Sequence, residues 1–333
     1  MSRTACGLVA AALFATTSLA ATSLATMSFV ADSAFAQTPS WTPPPDSARC
    51  PSKWGAGDER GSGNHMKPQS VLNAAKLIKT GEVIELGHVL HAGMPVSRGR
   101  SFELQTKRTT EMFGSNRRGS NEELMIAEMG QVGTQFDGFA HQTHENTLYN
   151  RFKMEDVATR TGFKKLGVQN VGALMTRGVL IDVAGYKGVD MLGDAYEITV
   201  DDLEGALKKE NLTLAPGDAV IIHTGWGKLW DKDNVRYMKS NPGIGVKAAQ
   251  WLIAKDPMLL GSDNTPVEVA PPADPMLSGP IHQMALVIYG VHLLEHLKLD
   301  ELAAKGVHEF AFIIQPLKFE GGTGSSVAPI AVR

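Results

Sequence analysis

The chain has 333 residues, 43% of them hydrophobic and 20% charged, with a formal net charge of −3. That balance suits a soluble enzyme with a sizeable core. It excludes a basic surface built for nucleic acid or for an anionic membrane.

In chain order, residues 1–36 read as a secretory signal peptide. Arg3 gives a sparse positive start, residues 8–30 are apolar but diluted by Ser and Thr, and Ala34-Phe35-Ala36 is a small-x-small cleavage site. A membrane span would need roughly 20 strongly apolar residues, so cleavage and a periplasmic or secreted location are expected. Cys6 precedes the apolar run, which argues against a lipid anchor. Cleavage leaves Cys50 as the only cysteine, so no internal disulfide can form, and Cys50 reads as structural.

Residues 37–63 are rich in Pro, Gly and Ser and read as an arm lying over the body. Residues 64–333 read as one domain. A helix is expected over 69–79 and a strand over 83–90. Residues 93–121 lose all periodicity and carry Arg98, Arg100, Arg117 and Arg118. This stretch reads as a solvated loop, or as a lid bringing a basic residue to an anionic substrate group. Strands are expected at 124–129, 178–183, 219–223, 258–261, 284–290 and 307–314. Helices are expected at 200–209, capped by Thr199 with Asp201, Asp202 and Glu204 at its positive end, and at 246–255. Asp300 is expected to cap a short helix over 301–305. The elements mix without strict alternation and show no repeat, which predicts a single α/β domain with a central sheet.

The chemistry concentrates in Gln131-Val132-Gly133-Thr134-Gln135-Phe136-Asp137-Gly138-Phe139-Ala140-His141. Residues two apart on an extended segment share a face, so Gln135 and Asp137 can look into one cavity. Gln131 would join them if the extended segment ran that far back. His141, just past Gly138, can be brought over the same cavity. Hydrolysis of an amide or ester needs an activated water, which a divalent cation held by carboxylate and imidazole can supply. Beyond Asp137, the downstream candidates are His282 and Glu295, which flank an apolar stretch read as a strand.

The stretch resembles the signature of the cyclase-like metal hydrolases, the family of bacterial kynurenine formamidase, isatin hydrolase and trans-dienelactone hydrolase. That signature reads H-x-G-T-H-x-D-x-P-x-H. Gly133, Thr134, Asp137 and His141 match it, whereas Gln131 and Gln135 stand where the family has histidine and Phe139 where it has proline. Further blocks follow in family order: Gly178-Val179-Leu180-Ile181-Asp182, Gly217-Asp218 through His223-Thr224-Gly225-Trp226, Gly261-Ser262-Asp263-Asn264 and Gly321-Gly322-Thr323-Gly324. The resemblance implies a swivelling β/β/α fold with a central sheet flanked by helices. It implies a divalent metal, Mn²⁺ or Zn²⁺, held by Asp137, His282 and Glu295, with Gln131 and Gln135 as weaker ligands or supporting donors. An amide oxygen is a hard donor that suits Mn²⁺ or Mg²⁺ better than Zn²⁺. His141 matches the family's proton shuttle.

Trp226 and Phe139 are candidates for the substrate wall, and His144 for a substitute ligand. His223 reads as structural. No P-loop, G-x-S-x-G, H-E-x-x-H or CxxC motif is present. The expected activity is metal-dependent opening of a cyclic amide or lactone, or cleavage of a small amide, by a homo-oligomer (dimer or tetramer). The alternative is a periplasmic binding protein for a small molecule, built on a hydrolase scaffold that has lost its metal through the two glutamines.

Overall fold

The computed structural model describes residues 38–333, so the expected leader lies outside the described residues. In chain order the main strands are β1 (Val83–Glu85), β2 (Phe102–Phe113), β3 (Arg118–Ala127), β4 (Gln135–Asp137), β5 (Leu174–Asp182), β6 (Ala219–His223), β7 (Leu259–Ser262), β8 (His292–Glu295), β9 (Glu309–Ile314), β10 (Gly324–Ser326) and β11 (Ile330–Val332). All but β2 and β3 form a nine-stranded sheet in the order β1-β11-β9-β5-β6-β7-β8-β4-β10. The middle four strands, β5 to β8, are parallel. Antiparallel strands flank them on both sides.

The middle strands read as continuous apolar runs because both their faces are covered. The main helices are α1 (Pro68–Ala75), α2 (Val200–Lys209) and α3 (Val246–Ile253). On one face of the sheet Ile181, Ile222, Leu260 and Leu293 pack beneath α2 and α3, which contribute Leu203, Ala206, Ala248 and Leu252. On the other face Leu180, Ile221, Leu259 and Leu294 meet Phe136, Phe310 and Phe312. The start of α2 is fixed by a reciprocal cap. Thr199 Oγ1 accepts from Asp202 N–H at 3.2 Å, and Asp202 Oδ2 accepts from Thr199 N–H at 3.0 Å. The arm packs on the body through buried Trp41 and through Ser62, whose Oγ donates to Met258 O at 2.6 Å.

Several expected elements differ. Residues 93–121 are not an irregular loop: most of them build the β2–β3 hairpin, exposed along nearly its whole length. With neither face buried, the hairpin lacks the apolar alternation that would have marked it. Residues 284–290 are not a strand. Gln283–Tyr289 is a π-helical turn ended by Gly290, and the true strand β8 follows it. Met284 to Val287 is buried on every side, so its sequence carries no period to choose helix over strand. β1 stops at Glu85, and Asp300 is the first residue of its helix, with Leu299 at the cap position.

Candidate metal centre

β4 carries the centre of the signature. It lies between β8 and β10, with Gln135 opposite Glu295 and Asp137 opposite Gly324. The turn before it requires glycine at 133. Gly133 has φ +64°, and a Cβ there would lie 2.0 Å from Leu90 Cδ2. Thr134 pins the turn to the end of β8, its Oγ1 donating to His296 O at 2.6 Å. After β4, Gly138 N–H donates to Thr323 O at 2.9 Å, so the C-terminal glycine turn closes over the signature.

Side chains from three parts of the chain meet at this point. Asp137 Oδ2 lies 3.6 Å from His282 Nε2 and 3.9 Å from His141 Nε2. Donor atoms of Asp137, His141 and His282 all lie within 4.8 Å of one another, a spacing one cation can bridge. His282 sits at the end of a short helical turn, Pro280–His282, just before the π-helical turn. Its Nε2 faces Glu295 Oε1 at 2.9 Å and its Nδ1 faces Glu268 Oε1 at 2.5 Å. Gln135 Nε2 donates to Glu295 Oε2 at 2.7 Å. Gln131 lies outside the strand, yet its Nε2 reaches Asp137 Oδ1 at 3.2 Å and His141 Nδ1 at 3.3 Å.

The residues fit a divalent cation. Gln135 Oε1 and Asp137 Oδ2 are buried acceptors with no hydrogen-bond partner, in residues 1% and 0% exposed. Buried oxygens are rarely left unpaired without a reason such as an ion or water. Asp137, Glu295 and Glu268 are three buried carboxylates around one imidazole, an arrangement short of positive charge. Burial, and then the like charge of Asp137, push Glu295 up to about 7. Burial opposes charge on His282, but its bonds to Glu268 and Glu295 outweigh this and hold its pKa well above the usual histidine range. Burial lowers the pKa of His141, which favours its neutral form, and Asp137 resists that only in part. Oxygen donors predominate over imidazole in this set.

The structure thus gathers Gln131, Gln135, Asp137, His141, His282 and Glu295 into one place. It does not bring Trp226 or Phe139 to an open face, and both expectations need correction. Trp226 is 0% exposed, and its Nε1 donates to Tyr237 O at 3.1 Å inside a separate core cluster. Phe139 is 1% exposed and stacked on His292, with ring centroids 4.1 Å apart. His144 is not among the residues whose donor atoms group within 4.8 Å, and its backbone is engaged in a turn with Thr147. Of the four arginines, Arg100 leans inward: its Nη1 donates to Gln131 O at 3.2 Å. Sequence reasoning missed two contacts. Glu268 holds His282, and the Gln142 amide lies 3.1 Å from His141 Nε2. A carboxylate inside the apolar run Val267-Glu268-Val269-Ala270 was the available signal for Glu268.

Comparison with known proteins identifies the family. The Cyclase family model matches residues 84–269. Among solved structures, a novel cyclase is 30% identical with TM-score 0.79, over 88% of this chain and 100% of that one. Isatin hydrolase A from Ralstonia solanacearum is 21% identical with TM-score 0.55, over 76% of this chain and 92% of that one. An isatin hydrolase bound to the product analogue thioisatinate is 21% identical with TM-score 0.56, over 80% and 98%. These two likenesses concern the fold. A comparison with curated proteins finds no match. The family match over more than half of the chain, with the 30% identity to a cyclase structure, establishes that this chain belongs to the cyclase family.

Proposed function

We propose that this chain is an exported metal-dependent hydrolase that opens a cyclic amide or lactone, or cleaves a small amide. The observation that carries the reading is the pair of orphaned buried oxygens, Gln135 Oε1 and Asp137 Oδ2, beside His282 and His141. A divalent cation held there by Asp137, Gln135, His282 and Glu295 supplies Lewis acidity that polarises a carbonyl and acidifies water. The protein's own residues do the rest. Glu295 and Asp137 neutralise the cation's charge. His141, partly exposed and kept neutral by burial, is a base at the edge of the cluster. The Gln131 amide lies 3.3 Å from its Nδ1 and the Gln142 amide 3.1 Å from its Nε2, so the ring is held between two amides. His141 can then take a proton from the attacking water and deliver it to the leaving nitrogen or oxygen. Arg100, beside Gln131, supplies positive charge near an anionic substrate group.

The test is turnover of a panel of lactones, cyclic amides and aryl formamides, before and after chelation and with Mn²⁺ or Zn²⁺ resupplied. Full activity after exhaustive chelation sinks the metal role. Unchanged turnover in His141→Ala sinks the proton role. The second reading, a periplasmic binding protein on an inactivated scaffold, has one observation in its favour. Gln131 and Gln135 donate to Asp137 and Glu295, so amides satisfy much of the site unaided. Stoichiometric metal in the purified native protein removes most of the support for that reading.

Our reading includes a homo-oligomer. Leu104, Met112, Phe113, Leu124, Met125 and Ile126 stand exposed on the β2–β3 hairpin, and a lone two-stranded ribbon is marginally stable. Light scattering that gives a monomer mass contradicts this part. N-terminal sequencing of exported protein tests cleavage after Ala36.

A further inference from the structure

We propose that Glu268 is a positioning residue that holds His282 with its Nε2 turned toward the metal centre. This rests on the metal-dependent reading above and extends it to a residue far from the signature. Glu268 is 4% exposed, and both carboxylate oxygens are engaged. Oε1 accepts from His282 Nδ1 at 2.5 Å and from the His282 backbone N–H at 3.3 Å. Oε2 accepts from the Ile281 backbone N–H at 3.0 Å. One carboxylate therefore fixes both the backbone of the Pro280–His282 turn and the ring it carries. With Nδ1–H committed to Glu268, Nε2 is the nitrogen left to give up its proton to a cation, and Nε2 is the atom that faces Asp137 and Glu295. Outer carboxylates of this kind orient a ligating histidine and raise its basicity.

The backbone gives a second, independent observation. Glu268 N–H donates to Pro266 O at 2.5 Å, closing a three-residue turn around Val267. Val267 has φ +61°, a conformation that β-branched residues seldom adopt. Neighbours hold it there. Asn264 Oδ1 accepts from Val267 N–H at 2.9 Å, and Ile244 bonds the backbone of Val267 and Val269 at 3.2 and 3.1 Å. Gly243 lies against the same turn, where a Cβ would come within 2.3 Å of the Glu268 carbonyl carbon. Strained backbone that its surroundings enforce gathers where a side chain must be aimed. Here the side chain so aimed is Glu268.

The experiment uses the full mature chain, stripped of metal and titrated with Mn²⁺ by calorimetry, as wild type and as Glu268→Gln. In Glu268→Gln the amide nitrogen meets an N–H donor, so His282 loses its fixed orientation. We expect Mn²⁺ affinity to fall about 10- to 100-fold, at a temperature where circular dichroism shows the variant folded. Affinity within twofold of wild type overturns the inference while leaving the metal reading intact. Absence of Mn²⁺ binding by the wild type overturns both. A measurement on wild type alone guards against misfolding of the variant. Nitrogen-15 spectra of the His282 ring in Zn²⁺-loaded protein should show a protonated Nδ1 and an unprotonated Nε2. A proton on Nε2 with Nδ1 free overturns the inference, as does an Nδ1 proton that exchanges with solvent as fast in wild type as in Glu268→Gln.

Discussion

Replacing Asp137 by Asn should make the metal-free protein more stable and the metal-supplied protein less so. Asp137 is 0% exposed, and its Oδ2 has no hydrogen-bond partner. The attraction of His282 at 3.6 Å and the repulsion of Glu295, which with burial raises that group to about 7, act on its charge in opposite directions. What remains is the cost of a buried, unsatisfied, charged oxygen, about 1–3 kcal/mol. Asn keeps an oxygen for Gln131 and removes the charge. A chain of this size unfolds with roughly 0.6 kcal/mol/K of entropy, so the metal-free variant should melt about 2–5 °C above wild type. With metal at 100 times its Kd the wild type gains about 2.7 kcal/mol, and Asp137→Asn gains far less, so the order reverses. Thermal melts in chelator and in excess Mn²⁺ read both halves. A variant that melts below wild type in chelator, or that gains equally from Mn²⁺, refutes the reasoning.

Restoring imidazole with Gln131→His and Gln135→His should shift preference toward Zn²⁺ by more than tenfold relative to Mn²⁺, because imidazole suits the softer ion. Competition titrations measure this, and an unchanged ratio contradicts the assignment of both glutamines to the site. Gly133→Ala places a methyl group 2.0 Å from Leu90 Cδ2 in a positive-φ position, and should cost at least 2 kcal/mol in urea unfolding and weaken Mn²⁺ binding with it. Away from the site, His223 Nδ1 bonds Asp182 Oδ1 at 2.6 Å in the interior. Burial opposes both charges, yet the pair's hydrogen bond raises His223 and lowers Asp182. The Asp182 contribution is present above its unfolded pKa near 4 and is lost as pH falls through its lower folded value. The His223 contribution is present below about 6.5 and is lost as pH rises through its higher folded value. Urea midpoints at pH 5.5 and 9 should therefore fall more steeply in wild type than in His223→Gln, and parallel declines contradict the pairing.

What the sequence disclosed depended on whether a residue's role was local. Thr199 and Asp202 cap α2 through bonds three residues apart, so the cap was readable before any tertiary contact was known. β6 was legible because Ala219 to His223 is short, apolar and bounded by Pro216-Gly217-Asp218. The signature's own residues were legible through their spacing. The π-helical turn after His282 was not, because burial on all sides erases the period that separates helix from strand. Of the hairpin only residues 124–127 fell within an expected strand; the rest was missed for the opposite reason, since exposure on both faces left little for a pattern to record. Glu268 showed itself only as a carboxylate in an apolar run, and its role stayed hidden because the contact that sets it is 14 residues away, through a strained turn. Trp226 and Phe139 were expected to wall the substrate, but their side chains point into packed core.

The account stands on a divalent cation held between Asp137 and His282. The most direct measurement is anomalous scattering from crystals of the mature chain grown with Mn²⁺. The account predicts a peak touching Asp137, Gln135, His282 and Glu295 that disappears in Asp137→Asn. A map without a peak there, from wild-type protein that still hydrolyses its substrate in chelator, would contradict it.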